Sequence, residues 1–319
     1  MTDNLWKAVE DATKRLKGIA HKTPVFTCSS LDKATNNSVT LKAENLQLSG
    51  SFKFRGAYNA LSALVDKEKP KLVVTNSSGN HGQALALAAK MHGVRALIVM
   101  PRNAPQVKKE AVLSYGGEII PCETTQASRN EVTARVMQET SALFVDSHND
   151  LDVIAGQATA AMELIEEKGP LDLLLAPVGG GGLIAGTAIA AKHLLDHVQV
   201  IGCEPAGADD AYRSLKTGKR ITDFTANTIA DGLRTPLGKT NFEIIRQLVD
   251  SIVLVSEEEI VQAMRYVWER MKLVIEPSSA VAVAPLLNGK IGGDGQRIGV
   301  ILSGGNVDLD SFFESISAK

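Results

Sequence analysis

One lysine stands out by its surroundings. Lys53 lies in Leu48-Ser49-Gly50-Ser51-Phe52-Lys53-Phe54-Arg55-Gly56-Ala57, among small residues where a helix begins. Apolar and small residues recur at helical spacing from Phe54 to Leu64, so Ser51 is expected to cap the helix and Lys53 to sit in its first turn. The amides of a helix N-terminus favour negative charge by about 0.3–1 kcal/mol, which mildly disfavours an ammonium there. A neutral amine or an imine escapes that penalty, and a partly deprotonated amine is what Schiff-base chemistry with a carbonyl compound needs. Taken alone, the same residues also fit a solvated surface lysine.

Three further loops have the composition of ligand sites. Thr75-Asn76-Ser77-Ser78-Gly79-Asn80-His81-Gly82 follows a strand pattern and opens a helical one, so its amides and hydroxyls can converge on a carboxylate, or simply form a capped turn. Pro177-Val178-Gly179-Gly180-Gly181-Gly182-Leu183 stands at a second such junction. Each glycine costs about 0.5–1 kcal/mol of order relative to alanine, and close approach of backbone amides to a phosphate compensates that cost. Leu302-Ser303-Gly304-Gly305-Asn306 is the third, where Ser303 offers a hydroxyl to a buried ring nitrogen. A rival reading takes Gly180, Gly182 and Ala185 as a dinucleotide fingerprint with Glu204 for the ribose, and hence a nicotinamide-dependent dehydrogenase. Against it, Glu204 is followed by Pro205-Ala206-Gly207-Ala208-Asp209-Asp210, and Lys53 and the 75–82 loop are left without a role.

The elements that must hold these loops alternate. Strand-length apolar runs at 72–75, 96–100, 118–121 and 142–145 are separated by helical stretches at 80–92, 104–115 and 126–140. A second series has strands at 171–177, 198–204, 252–255 and 298–303, with helices at 153–168, 183–195, 257–273 and 277–288. A helix at 5–20 and a short strand at 39–43 precede them. Strand alternating with helix predicts an α/β protein with parallel sheets covered on both faces, and ligands at the carboxyl ends of the strands. The 319 residues suffice for about two domains. A net charge of -2 points away from nucleic acid and from anionic membranes, and towards a small-molecule ligand. The first residues lack a signal-peptide pattern, and Cys28, Cys122 and Cys203 are scattered, so a cytoplasmic protein with reduced thiols is expected.

Taken together, Ser51-Phe52-Lys53-Phe54-Arg55-Gly56, Ser77-Ser78-Gly79-Asn80-His81-Gly82-Gln83, the four-glycine loop and Ser303-Gly304-Gly305-Asn306 resemble the fold-type II pyridoxal-phosphate enzymes. Within these, the chain is most similar to the serine racemase and serine/threonine dehydratase group, which includes threo-3-hydroxyaspartate dehydratases. The resemblance runs from about residue 10 to 310. It implies two α/β domains with the cofactor in the cleft: a large one from 1–66 and 150–319, and a small mobile one from 67–149. It also implies that Lys53 carries pyridoxal phosphate as a Schiff base. Gly179, Gly180, Gly181 and Gly182 would hold the phosphate, Asn80 the phenolic oxygen, and Ser303 the pyridine nitrogen.

By the same resemblance Ser77, Ser78, Asn80 and His81 bind the substrate carboxylate, and Ser78 is the second acid/base, opposite Lys53. Glu204, the Ala208 carbonyl and Asp210 match a divalent-cation site, whose oxygen ligands suit Mg2+, with Ca2+ or Mn2+ as alternatives. Arg129 matches a position facing the distal group of the substrate, with Thr235 beside it and His148 as a helper. A β-carboxylate there makes L-threo-3-hydroxyaspartate the expected substrate, dehydrated to oxaloacetate and ammonia, with L-serine dehydration and serine racemisation alongside. A serine racemase proper, or an L-serine/threonine dehydratase, is the alternative. A homodimer is expected, with a nucleotide effector near Gln83, Tyr115 and Lys272 between its subunits.

Overall fold

Runs such as Leu173–Pro177 are apolar at every position, the pattern of a strand buried on both faces. A computed structural model describes residues 2–77 and 79–317, and in it all five of these residues are buried. Ten strands are present among the described residues: β1 (Val25–Thr27), β2 (Ser38–Ala43), β3 (Leu72–Asn76), β4 (Arg95–Pro101), β5 (Glu118–Cys122), β6 (Leu143–Phe144), β7 (Leu173–Pro177), β8 (Gln199–Pro205), β9 (Ser251–Val255) and β10 (Arg297–Leu302). They form a six-stranded sheet of order β1-β2-β10-β7-β8-β9 and a four-stranded sheet of order β5-β4-β3-β6. All pairings are parallel except β1 with β2. β10 lies between β2, where Arg297 pairs with Ser38 and Leu302 with Ala43, and β7.

Alternate residues of β7 serve different cores. Leu174 and Ala176 pack with the helices Leu151–Lys168 and Gly182–Leu194, while Leu173 and Leu175 pack with Ile260, Met264 and Val281 on the other face. A third core, with Phe54, Leu61, Leu85 and Ile98, joins the helix Lys53–Glu68 to the four-stranded sheet. Helices Lys53–Glu68 and Gly182–Leu194 both pack on Leu151–Lys168. The closest approach is backbone to backbone, because a Cβ on Gly156 would lie 2.6 Å from the Arg55 carbonyl oxygen and from Gly56 Cα.

Several expectations need correction. The first helix is Thr2–Leu16 rather than 5–20, because Gly18 turns the chain at φ 76°. The 257–273 stretch is α-helical only over Glu257–Tyr266 and continues as a π-turn over Val267–Met271. The 277–288 stretch is two single turns, Pro277–Ala280 and Ala284–Leu287. Ser51 does not cap its helix: Phe52 is the N-cap residue and gives no side-chain bond. The first amides of the helix are met by nearby backbone, Phe54 N donating to the Ser51 carbonyl at 3.3 Å and Arg55 N to the Phe52 carbonyl at 3.0 Å, and Gly56 N donates to Gln157 Oε1 at 3.1 Å. Ser51 instead bridges Gly304, and Phe52 N donates to the Ser303 carbonyl at 3.0 Å.

This packing makes Gly156 intolerant of a side chain. Overpacking costs about 1–3 kcal/mol, so Gly156→Ala is expected to lower the urea midpoint by a corresponding amount. An unchanged midpoint would show that the two helices can separate without loss.

Candidate active site

Parallel strands deliver their following loops to one edge, and a single cavity collects them. It is lined by Phe52 and Lys53, by Asn76 at the end of β3 and Ser77, Gly79, Asn80 and His81 beyond it, by residues 179–183 after β7, and by Ser303 after β10. Arg129, His148 and Thr235, named from the sequence, also line it, together with Ser147, Lys108, Asp231 and Glu276, which were not. Ser78 lies outside the described residues.

Lys53 Nζ donates to the Ser147 carbonyl at 2.8 Å. Burial pulls the pKa of its amine down to about 8, while Asp146 and Glu276 pull the other way. The expected deprotonation tendency is therefore present, with desolvation as its main cause. The neighbouring imidazoles are held neutral. Burial lowers His81 to about 3, helped by Lys53, and lowers His148 to about 4. His148 Nδ1 lies 2.7 Å from Ser147 Oγ, and its carbonyl accepts from Asn241 Nδ2 at 2.8 Å.

The four-glycine loop is closely packed from behind. A Cβ on Gly180 would lie 2.6 Å from the His148 ring, and one on Gly179 would lie 2.9 Å from Leu233 Cα. Gly181 has φ 93° and is the N-cap of Gly182–Leu194, so the first free amides of that helix line the cavity. The Gly180 carbonyl is turned away, accepting from Asn241 Nδ2 at 2.6 Å and Gly238 N at 3.0 Å. Inward amides at a helix N-terminus fit a phosphate group. Asn80, the first residue of Asn80–His92, donates to Glu276 Oε1 at 2.7 Å and accepts from Asn306 Nδ2 at 3.0 Å.

Arg129 sits in the first turn of Gln126–Thr140. Its Nε is buried and has no hydrogen-bond partner, and no carboxylate among the described residues pairs with it. The cavity is thus lined by an uncommitted guanidinium and by Thr235. Sequence reasoning missed the cluster of Lys108, Asp231 and Glu276. Lys108 forms a short ion pair with Asp231 and lies 3.9 Å from Glu276 Oε2. Burial lowers the pKa of Lys108, but Asp231 and Glu276 outweigh it and hold it above its ordinary value. Burial raises Glu276 to about 7 against the pull of Lys108. Lys108 reads in sequence as one of several helix charges, whereas Glu276, between Ile275 and Pro277, was a visible acid in an apolar run.

Glu204, Ala208 and Asp210 are away from this cavity. Glu204, the penultimate residue of β8, accepts from Ala211 N at 2.9 Å and Tyr212 N at 2.8 Å, so it is not presented to a ribose in the cleft. Asp210 Oδ2 accepts from Leu237 N at 2.8 Å, and its buried Oδ1 has no partner. Burial raises Glu204 to about 9 and Asp210 to about 6. Among the described residues, no three His, Cys, Asp or Glu side chains converge as a metal-ligand set. Gln83 is buried in Asn80–His92, Tyr115 ends the helix Gln106–Ser114, and Lys272 follows the π-turn; none of them lines the cavity. No helix among the described residues is long and apolar enough to cross a membrane.

Known proteins share this arrangement. The family described as pyridoxal-phosphate dependent enzyme matches residues 16–304. Serine racemase of Dictyostelium discoideum is 46% identical over 309 residues, covering 96% of this chain and 95% of that protein. The beta-hydroxyaspartate dehydratase of Paracoccus denitrificans is 45% identical over 299 residues, covering 94% of this chain and 95% of its own. The structure of maize serine racemase superimposes with a TM-score of 0.93 at 41% identity, covering 98% of this chain and 96% of that one. These matches remove the nicotinamide-dehydrogenase reading of the glycine loop. With a lysine amine, inward helix amides and a buried serine around one cavity, the chain belongs to the family of pyridoxal-phosphate dependent enzymes, in its fold-type II branch.

Proposed function

We propose that this protein dehydrates 3-hydroxy amino acids, with L-threo-3-hydroxyaspartate, converted to oxaloacetate and ammonia, as its preferred substrate. L-Serine dehydration and serine racemisation accompany that activity. The observation that carries the substrate choice is Arg129, a cavity-lining guanidinium with no carboxylate partner and an orphaned Nε. A substrate β-carboxylate would satisfy it bidentately, with Thr235 adjoining; serine has no group that can. The dehydratase from Paracoccus denitrificans, named for a β-hydroxyaspartate, supports the same choice.

In this reading Lys53 holds pyridoxal phosphate covalently, Gly179 to Gly182 hold its phosphate, Asn80 its phenolic oxygen and Ser303 its ring nitrogen. The bound cofactor supplies an electron sink for the substrate Cα. The Lys53 amine, which burial draws down to about 8, would serve as the base at Cα when it is not bonded to the cofactor. Ser77 and His81 would bind the α-carboxylate with Asn80 and Ser78, and His148 would help with the distal group. Ser78 would return or remove a proton on the face opposite Lys53, which racemisation requires. A hydroxyl at Ser303 cannot keep the ring nitrogen fully protonated, which favours rapid elimination over prolonged storage of charge.

A divalent cation, Mg2+ or alternatively Ca2+ or Mn2+, would bind Glu204, the Ala208 carbonyl and Asp210. Two buried carboxylates with raised pKa and the free Asp210 Oδ1 support it. The same reading makes residues 67–149 a small mobile domain against 1–66 and 150–319. It places the protein in the cytoplasm as a homodimer, with a nucleotide effector at Gln83, Tyr115 and Lys272. Exposed Leu46 and Val274, adjoining through the Asn45 Nδ2 bond to the Val274 carbonyl, support a subunit contact.

Steady-state kinetics tests the substrate. A charge-assisted pair contributes about 1.5–3 kcal/mol, so kcat/KM for L-threo-3-hydroxyaspartate should exceed that for L-serine by about ten- to a hundredfold. Arg129→Ala should remove most of that preference and spare serine turnover. Equal losses on both substrates would take Arg129 out of the role, and a wild type preferring serine or threonine would overturn the substrate. For Lys53, borohydride should fix the cofactor on its peptide. In the cofactor-free protein, acylation of its amine should rise with pH around a midpoint near 8 instead of 10.5, since only the neutral amine reacts. A midpoint at the ordinary value would contradict a desolvated amine. For the cation, saturating Mg2+ should raise Tm, EDTA should reverse the rise, and Asp210→Asn should abolish it; a variant that responds like the wild type would place the cation elsewhere.

A further inference from the structure

Arg55 is two residues beyond Lys53 and fully buried, yet it takes no part in the cleft. Successive helix residues are about 100° apart, so residues 53 and 55 point to nearly opposite sides of the same turn. Lys53 enters the cavity, and Arg55 enters the protein behind it. There its Nε and Nη2 donate to Glu44 at 2.7 and 2.9 Å, and its Nη1 and Nη2 donate to Glu163 at 2.7 and 2.8 Å. Nη1 also reaches Thr159 Oγ1 and Nη2 the His21 carbonyl, both at 3.2 Å. Lys42 closes the set, donating to Glu163 Oε2 at 2.6 Å and the Thr23 carbonyl at 2.8 Å. Two cations thus face two anions, with only the Glu163 end partly open to solvent.

Stability alone does not account for such a network. Well-packed apolar side chains of similar volume commonly do as well as buried ion pairs or better, because the charges lose their hydration. Apolar contacts are, however, non-directional, whereas two bidentate carboxylates fix a guanidinium in rotation and in depth. The carboxylates come from separate elements, Glu44 from the turn after β2 and Glu163 from Leu151–Lys168. The backbone contact at Gly56 and Gly156 and the Gln157 bond to Gly56 N hold the next residue of the same turn. We infer that Arg55 is a positioning residue, whose two-carboxylate clamp sets how far Lys53 Nζ projects into the cleft. The inference rests on the proposed attachment of the cofactor to Lys53.

A misplacement of about 1 Å at a reacting group can lower turnover by about a hundredfold. Arg55→Lys keeps the charge but cannot make two bidentate pairs. Glu163→Gln, at the half-buried end, leaves the Arg55–Glu44 pair intact and is the milder variant. In each, kcat per bound cofactor, KM, Tm and the pH midpoint of Lys53 acylation in the cofactor-free protein are measured. The amine faces Asp146, Glu276, His81 and His148, none of which is altered. The expected result is a ten- to hundredfold fall in kcat for Arg55→Lys with KM within a few fold. Its acylation midpoint should move upwards from about 8, as the amine leaves its buried seat. Glu163→Gln should show smaller shifts in the same directions. A lower Tm with wild-type kcat and midpoint would reduce Arg55 to a purely structural role and overturn the inference. If Arg55→Lys does not fold, Glu163→Gln decides by the same two readouts. Borohydride label found away from Lys53 would instead defeat the functional reading, whereas label on Lys53 with an unmoved midpoint defeats only the clamp.

Discussion

The cleft depends on where β10 is placed. Paired in parallel with β2 on one side and β7 on the other, this strand brings the segments that follow all three to a common edge. After β2 come Glu44 and the turn leading to Lys53, after β7 the four glycines, and after β10 Ser303. The bridge from Ser51 to Gly304 and the Phe52 bond to the Ser303 carbonyl then lock two of these segments together. No local propensity brings them together; sheet register does, since a shift of one residue would turn every side chain to the opposite face.

Two kinds of buried charge coexist a few residues apart, and their contrast separates framework from chemistry. Around Arg55 every donor of the guanidinium meets an oxygen. Around the cavity the accounting is left open, with Arg129 Nε and Glu276 Oε2 among the buried atoms that lack hydrogen-bond partners. Unpaired buried polar atoms are uncommon in folded proteins and call for an explanation each time. Others, such as Thr187 Oγ1 and Gln296 Oε1, lie elsewhere, but both His81 nitrogens, Arg129 Nε and Glu276 Oε2 line the cavity, and the imidazoles beside Lys53 are neutral by desolvation and add no competing charge.

Local order was legible in the sequence where it depends on neighbours along the chain. The helices Asn80–His92 and Gln126–Thr140 match the periodicity residue for residue, and the glycine loop and Lys53 identify themselves by composition. What escaped depends on contacts across the chain. The three-residue β1 carries too few residues to show a period, and the Gly56 amide, near the start of the Lys53 helix, is met by Gln157, 101 positions away. Lys108 and Asp231 are 123 positions apart, and neither has a local signature that distinguishes it from a surface charge. Pairing of this kind is set by topology, which a single sequence specifies only through the whole fold.

The central position of β10 also orders events during synthesis. Thr40 of β2, whose hydroxyl donates to the Ile298 carbonyl, precedes it by 258 residues, so β2 leaves the ribosome long before its neighbour exists. The four-stranded sheet, made from residues 72–144, can pair as soon as it emerges. The six-stranded sheet must wait, with β2 and β7 each exposing an unpaired edge where β10 will insert. Such edges invite pairing with other chains, and long-range parallel pairing is slow because loop closure precedes its reward. The nascent chain therefore carries its greatest aggregation hazard just before the last strand arrives, and the cavity forms in the same step that removes it.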